Sequence, residues 1–302
     1  VLRHSLVLSA LGTPQPPAPP GALALDPSRR LGAFDGFGGN FCFGLDEPVT
    51  EQVRQRLRPR VARLRMHLDD LGPPLAGSGD SHSAWMRMLA AADRPWSELW
   101  QNLGLAETLH RDGTRLQIST WRVPAWILDH PPTHDQNRIA PGRYDDLAGM
   151  VAAYLDYLRR SRGVVPETFS FNEPDWGANV IFTPDGYRDA LLAVNQALRR
   201  HGLETRLMIG DLSTAGDGNA YLAPVLTNST LMARAAGLSF HAWNEAAEAD
   251  YAAWRALADL TGLPLVVGEI GVDHNWRDVQ LHGYDYALRE MAHYLDVLRQ
   301  AR

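Results

Sequence analysis

From about residue 22 onward, short apolar runs alternate with longer amphipathic segments, the pattern of repeated strand and helix units around a parallel sheet. Strands are expected at residues 33–40, 61–68, 115–121, 167–173, 206–211, 238–243 and 263–269, with helical segments between most of them. The clearest helix is 187–201, where Tyr187, Leu191, Val194 and Leu198 recur at helical spacing and Gly202 supplies a stop. Residues 284–302 carry another stripe, Leu288, Met291, Leu295 and Leu298. Both stripes read as faces turned to a core.

Seven strands, each followed by a helix or a long connection, point to an α/β fold of the (β/α)8 TIM barrel type, which takes eight strands when closed. The eighth is not evident, and the sequence stops where it is due, so the expectation is a piece of a longer protein. Residues 1–12 read as a short strand outside the barrel. The proline-rich stretch 13–19 fits neither a helix interior nor a central strand. The expected division is therefore 1–21, an N-terminal β segment and linker, and 22–302, the barrel. The opening residues, Val1-Leu2-Arg3-His4, show neither an initiator methionine nor a signal-peptide layout, and a processed or trimmed chain is expected.

With 302 residues and 45% hydrophobic content, the chain is long enough to bury a large core. A formal charge of -6 argues against nucleic acid or an anionic membrane surface as partner, because both require basic patches. Every basic residue apart from histidine is arginine; the absence of lysine removes Schiff-base chemistry and phosphate binding by a P-loop. The one cysteine, Cys42, sits in an apolar, glycine-rich run and reads as a structural thiol. No apolar run is long enough to span a membrane, and location stays open between secreted and cytoplasmic.

Two segments carry the candidate chemistry: Phe169-Ser170-Phe171-Asn172-Glu173-Pro174 and Leu265-Val266-Val267-Gly268-Glu269-Ile270. Each is a β-prone run ending on a glutamate, which places two carboxylates at the C-terminal ends of two strands. Retaining hydrolysis of a glycosidic bond requires such a pair, one carboxyl protonating the leaving oxygen while the other attacks the sugar carbon.

The run from Leu25 to Gly39, with Phe34-Asp35-Gly36-Phe37-Gly38-Gly39, resembles the entry into the barrel of family 30 glycoside hydrolases, the group of glucosylceramidases and some xylanases. Ser119-Thr120-Trp121-Arg122-Val123-Pro124-Ala125-Trp126 resembles that family's third-strand motif, and Asn172-Glu173-Pro174 is similar to the acid/base signature of its clan. In that clan the acid/base ends the fourth strand and the nucleophile the seventh. Counting strands independently puts Glu173 fourth and Glu269 seventh, so the resemblance implies Glu173 as acid/base and Glu269 as nucleophile.

The resemblance further implies that Asn172 hydrogen-bonds a sugar 2-hydroxyl and that Arg65, ending the second strand beside Arg63, supports the nucleophile. His241 ends the sixth strand, followed by Trp243 where the clan carries a tyrosine that contacts the nucleophile. Tyr221, Tyr284 and Tyr286 are candidates for the displaced hydroxyl. Trp121, Trp126, Trp176 and Trp276 fall in strand-end loops, where flat indoles suit the apolar faces of pyranoses. His67, with Asp69 and Asp70 nearby, reads as a substrate contact in preference to a metal ligand, since paired metal-ligand spacing is lacking.

The implied function is a retaining β-glycosidase without cofactor or metal, acting on an oligosaccharide, polysaccharide or glycoconjugate. Alternatives are a noncatalytic carbohydrate-binding relative and, more weakly, a metal-dependent barrel hydrolase centred on His67, Asp69 and His241.

Overall fold

In the computed structural model, residues 34–41, 45, 47–74, 80–216, 218–243, 246–272 and 283–301 are described. The expected strand at 1–12, the proline-rich stretch, Cys42 and Trp276 lie outside them. The chain divides into units of residues 1–35 and 36–302, and the second carries all that follows.

The strands are β1 (Gly38–Phe41), β2 (Val61–His67), β3 (Arg115–Arg122), β4 (Thr168–Phe171), β5 (Arg206–Leu212), β6 (Ala235–Ala242) and β7 (Leu265–Ile270). They form one seven-stranded sheet in sequence order, every neighbouring pair parallel. β1 and β7 come back into contact, so the sheet curls into a nearly closed barrel. No eighth strand lies among the described residues. Around the barrel run α1 (Pro48–Gln52), α2 (Ser81–Ala92), α3 (Glu98–Arg111), α4 (Tyr144–Arg162), α5 (Pro184–Arg200), α6 (Gly218–Leu226), α7 (Ser229–Met232), α8 (Glu248–Thr261) and α9 (Tyr284–Gln300). This is the (β/α)8 type of architecture.

Local chemistry marks the helix ends. Asp80 caps α2 by accepting from the Ser83 amide at 2.9 Å, and Ser97 caps α3 by accepting from Trp100 at 3.1 Å. Thr183 caps α5, whose first residue is a proline that needs no amide partner there. Gly163 and Gly262 end α4 and α8 with φ of 69° and 67°, the left-handed conformation that stops a helix without a Cβ penalty.

Strand alternation separates two environments. Leu64, Met66, Ile118, Phe169, Ile209, Leu238 and Phe240 are buried in the apolar layer between sheet and helices. Phe240, for example, packs at 5.0 Å from the ring of Trp254 on α8. The opposite faces of the same strands carry Arg63, Ser119, Ser170, Ser239 and His241, joined by Asp211 at a bulge in β5, all buried and hydrogen-bonded to one another inside the barrel.

Two expectations shift. β6 starts at Ala235, three residues before the apolar run, because small residues there pair with Leu207 and Met208 without β-prone side chains. The stripe on α9 is not a core face: Leu288, Met291 and Leu295 are exposed, and His293 and Val297 are the buried residues. The helix is seated by the His293 ring, 2.7 Å from the Ala242 carbonyl oxygen at the end of β6, and by its packing on α8. Consistent with this half-covered edge, all six residues of β7 are only partly buried.

Candidate active site

Glu173 follows β4 in a tight turn at φ 42°, a left-handed conformation that costs a non-glycine residue and so requires support. Its amide donates to the Asp211 carbonyl at 3.0 Å, and its own carbonyl accepts from the Trp176 and Gly177 amides. The preceding Asn172 is tied by its amide to Thr120 of β3 at 3.0 Å. Glu269 sits in β7 opposite His241 of β6, because a register shift skips Gly268. A Cβ on Gly268 would stand 2.6 Å from the Asp211 carboxylate and 2.9 Å from the Ser239 hydroxyl, so glycine is required there. Both glutamates thus lie at the C-terminal end of the barrel, where such folds carry their chemistry.

A carboxylate oxygen of Glu173, a ring nitrogen of His241 and a carboxylate oxygen of Glu269 lie within 4.8 Å of one another. Each glutamate has its own donors. Arg63 donates to Glu269 Oε1 at 2.7 Å, Asn40 of β1 donates to the same oxygen at 3.0 Å, and the Trp243 indole donates to Oε2 at 2.9 Å. Glu173 Oε1 faces His241 Nδ1 at 2.8 Å.

Arg63 is the hub of the cluster. Its guanidinium also reaches Asp211 Oδ2 at 2.8 Å, Ser119 at 3.2 Å, and the side-chain oxygen of Asn172. The arginine beside Glu269 is therefore Arg63 and not Arg65. Arg65, two residues nearer the rim, pairs with Glu98 at 3.2 Å and lies over the Trp121 ring. One strand face holds both residues, and depth alone separates them.

Asp211 is fully buried and has φ 58° at a bulge in β5, where the pairing with β6 skips it. It accepts from Arg63, from the hydroxyls of Ser119, Ser170 and Ser239, and faces His241 Nε2 at 3.1 Å. Burial alone would raise its pKa; the charge of Arg63 and the contact with His241 outweigh this and hold it far below the usual carboxylate range. His241 is likewise pulled two ways: burial lowers it, but hydrogen bonds to Asp211 and Glu173, with the charges of Asp211 and Glu269, push it up to about 9.

Sequence reasoning missed Asp211, Asn40 and the serines, and placed Arg63 second to Arg65. A signal for Asp211 was present: Ile209-Gly210-Asp211 repeats the apolar-Gly-acid pattern of Val267-Gly268-Glu269.

The remaining candidates divide. At Trp243, where the resemblance led to the expectation of a tyrosine hydroxyl, the indole is the donor to Glu269. Of the tyrosines offered for that hydroxyl, Tyr221 instead donates to the Phe182 carbonyl at 3.1 Å, Tyr284 is exposed, and Tyr286 lies beside Arg289. Trp121 lies under the Arg63 and Arg65 guanidinium groups at 5.5 and 5.8 Å, its buried indole nitrogen without a partner. Trp126 donates to the Leu71 carbonyl at 2.7 Å, and Trp176, just past Glu173, is exposed. His67 stands 3.6 Å from Glu98, its pKa lowered by burial against the opposing charge of Glu98.

Among the described residues, the group with metal-like convergence is Glu173, His241 and Glu269, without His67 or Asp69. Both nitrogens of His241 face carboxylates and a guanidinium sits on Glu269, so the positive charge that an ion would bring is supplied by the protein. A cavity of about 590 Å³ lies elsewhere, against α4, α5 and α7, lined by Tyr144, Asp189, Asn195 and Arg199 among others.

Fold and site together define a (β/α)8-barrel protein with a paired-carboxylate cluster at its active face. No protein-family model matches the sequence, and no curated protein matches it. Among solved structures, the chain is similar to SrfJ from Salmonella typhimurium, with TM-score 0.64 and 18% identity over 90% of this chain and 64% of that one. It is also similar to a glycoside hydrolase family 30 subfamily 8 xylanase, Xyn30A, from Clostridium acetobutylicum, with TM-score 0.59 and 16% identity over 80% of this chain and 56% of that one. A third likeness is to an endo-beta1,6-glucanase, with TM-score 0.61 and 15% identity over 82% of this chain and 60% of that one. At these identities the likeness establishes the fold. The chain spans less than two thirds of the length of each of these structures.

Proposed function

We propose that this chain is a retaining β-glycosidase in which Glu173 is the acid/base and Glu269 the nucleophile. The observation that carries the reading is the approach of the two carboxyl groups, one oxygen of Glu173 lying within 4.8 Å of one of Glu269, which suits the close pair that a retaining mechanism uses. The asymmetry of their partners supports the division of roles. Glu269, held by three donors including a guanidinium, is fixed in orientation for attack. Glu173 has a single ring contact and a second oxygen free of it.

In the first step the Glu269 oxygen bonds to the anomeric carbon as the bond to the leaving oxygen breaks, and Glu173 gives that oxygen its proton. In the second, Glu173 takes a proton from water, whose oxygen displaces Glu269 and restores the starting state. Asn172, with its oxygen engaged by Arg63, has its amide nitrogen to offer a 2-hydroxyl. Trp176 is an exposed face on which a sugar ring stacks. The substrate is a β-linked glycan or glycoconjugate, a reading to which the printed activities of the similar xylanase and glucanase lend support.

Sugar release from a panel of aryl β-glycosides and β-linked polysaccharides tests this. Turnover by the parent chain should fall by about a thousandfold or more in Glu269→Gln. Silence from the parent, with retained glycan binding, would replace the reading with a carbohydrate-binding role.

A further inference from the structure

We propose that Asp211 is a positioning residue that keeps both ring nitrogens of His241 protonated, which fixes Glu173 Oε1 as an acceptor and leaves Oε2 to carry the transferable proton. The inference rests on the reading of Glu173 as the acid.

Asp211 touches no position open to substrate: it is buried beneath the glutamates, and its carboxylate accepts from a guanidinium and three hydroxyls. A carboxylate so supplied is ionised and offers only lone pairs, so His241 Nε2, 3.1 Å away, must bear hydrogen. At the other edge of the ring, Nδ1 faces Glu173 Oε1 at 2.8 Å and Glu269 Oε2 at 3.9 Å. The groups facing this ring are thus Asp211 on β5, Glu173 after β4 and Glu269 on β7. The nearest cation, Arg63, lies across Asp211, and His293 of α9 is turned to a backbone carbonyl. The charges of Asp211 and Glu269, with Glu173 Oε1 as an acceptor at Nδ1, favour the doubly protonated ring, in line with its raised pKa of about 9.

The strained φ of 58° at Asp211 is what aims the side chain inward from the bulge. Nδ1–H then donates to Oε1 of Glu173, which makes that oxygen the better acceptor and puts the acid proton on Oε2. During turnover only that proton moves, to the leaving oxygen and back from water; His241 keeps both of its own and Asp211 keeps its charge.

Nitrogen NMR of ¹⁵N-histidine protein tests this directly, with His241 assigned by its absence from His241→Gln. In the parent chain both ring nitrogens should show protonated shifts at pH 7, and the ring should give up one of the two protons only near pH 9. In Asp211→Asn the transition should fall by about two pH units or more. A singly protonated ring in the parent overturns the inference, a result that does not depend on Asp211→Asn folding.

Kinetics supply a second readout. Asp211→Asn should lose about a hundredfold in kcat on glycosides with poor leaving groups, which need the acid, and less than about tenfold on dinitrophenyl glycosides, which do not. Equal losses on both would overturn the positioning role. A doubly protonated ring in a protein that hydrolyses no glycoside would overturn the proposed function and with it the assignment of the Glu173 proton, whereas a singly protonated ring overturns this inference alone.

Discussion

Arg63 and Arg65 are the same residue type two positions apart on one strand face, and their surroundings make them different residues. The Arg63 side chain is 4% exposed and lies between two carboxylates, Asp211 and Glu269, while that of Arg65 is 30% exposed and meets Glu98 at the rim. Removing a buried cation strands its partners in low dielectric, whereas an exposed pair is screened by water. Arg63→Met should therefore cost about 3–5 kcal/mol of stability, and Arg65→Met less than about 1 kcal/mol. Urea denaturation of the two variants measures both, and equal costs would contradict the hub assigned to Arg63. Nothing in the local sequence separates the two arginines, because alternation gives the face of a strand residue but not its depth in a barrel. The two glutamates were legible for the opposite reason: each ends an apolar run and leaves the strand ladder or its register within a residue or two.

At the level of the element, α9 shows how a periodic pattern misleads when a helix is covered on one side only. The stripe Leu288, Met291, Leu295 has the spacing of a core face, yet these residues are 50%, 54% and 62% exposed, and Val297 on the neighbouring face is 1% exposed. Stability should follow the burial and not the pattern. Leu295→Gln is expected to change unfolding free energy by no more than about 0.5 kcal/mol, and Val297→Ala to lower it by about 2 kcal/mol. Thermal denaturation of the pair decides the matter, a larger loss in Leu295→Gln pointing to a cover on that stripe. By contrast, α5 was read correctly from its stripe, since Tyr187, Leu191, Val194 and Leu198 are all buried and the helix packs on α4 and α6.

For the whole molecule, the buried charge cluster couples folding to pH. The His241 pKa is raised from 6.5 to about 9, so its stabilisation is complete below pH 6.5 and is lost as pH rises through 9. The Asp211 pKa is lowered from 3.8, so its contribution is present above pH 3.8 and is lost as pH falls well below it. Unfolding free energy should decline between pH 6.5 and 9 with a slope from His241 of up to about 1.4 kcal/mol per pH unit, a slope absent from His241→Gln. Denaturant titrations across that range read it directly; an unchanged slope in the variant would place the linkage elsewhere. The sequence by itself determined the strand count, the parallel barrel and the two glutamates at its rim, because apolar runs, glycine and proline breaks and strand ends are local properties of the chain. Only the tertiary structure decided which arginine holds Glu269, that Asp211 joins Arg63 to His241, and that an indole is a further donor to Glu269. Those facts depend on which residues from four different strands meet inside the barrel, a distance that no local pattern encodes.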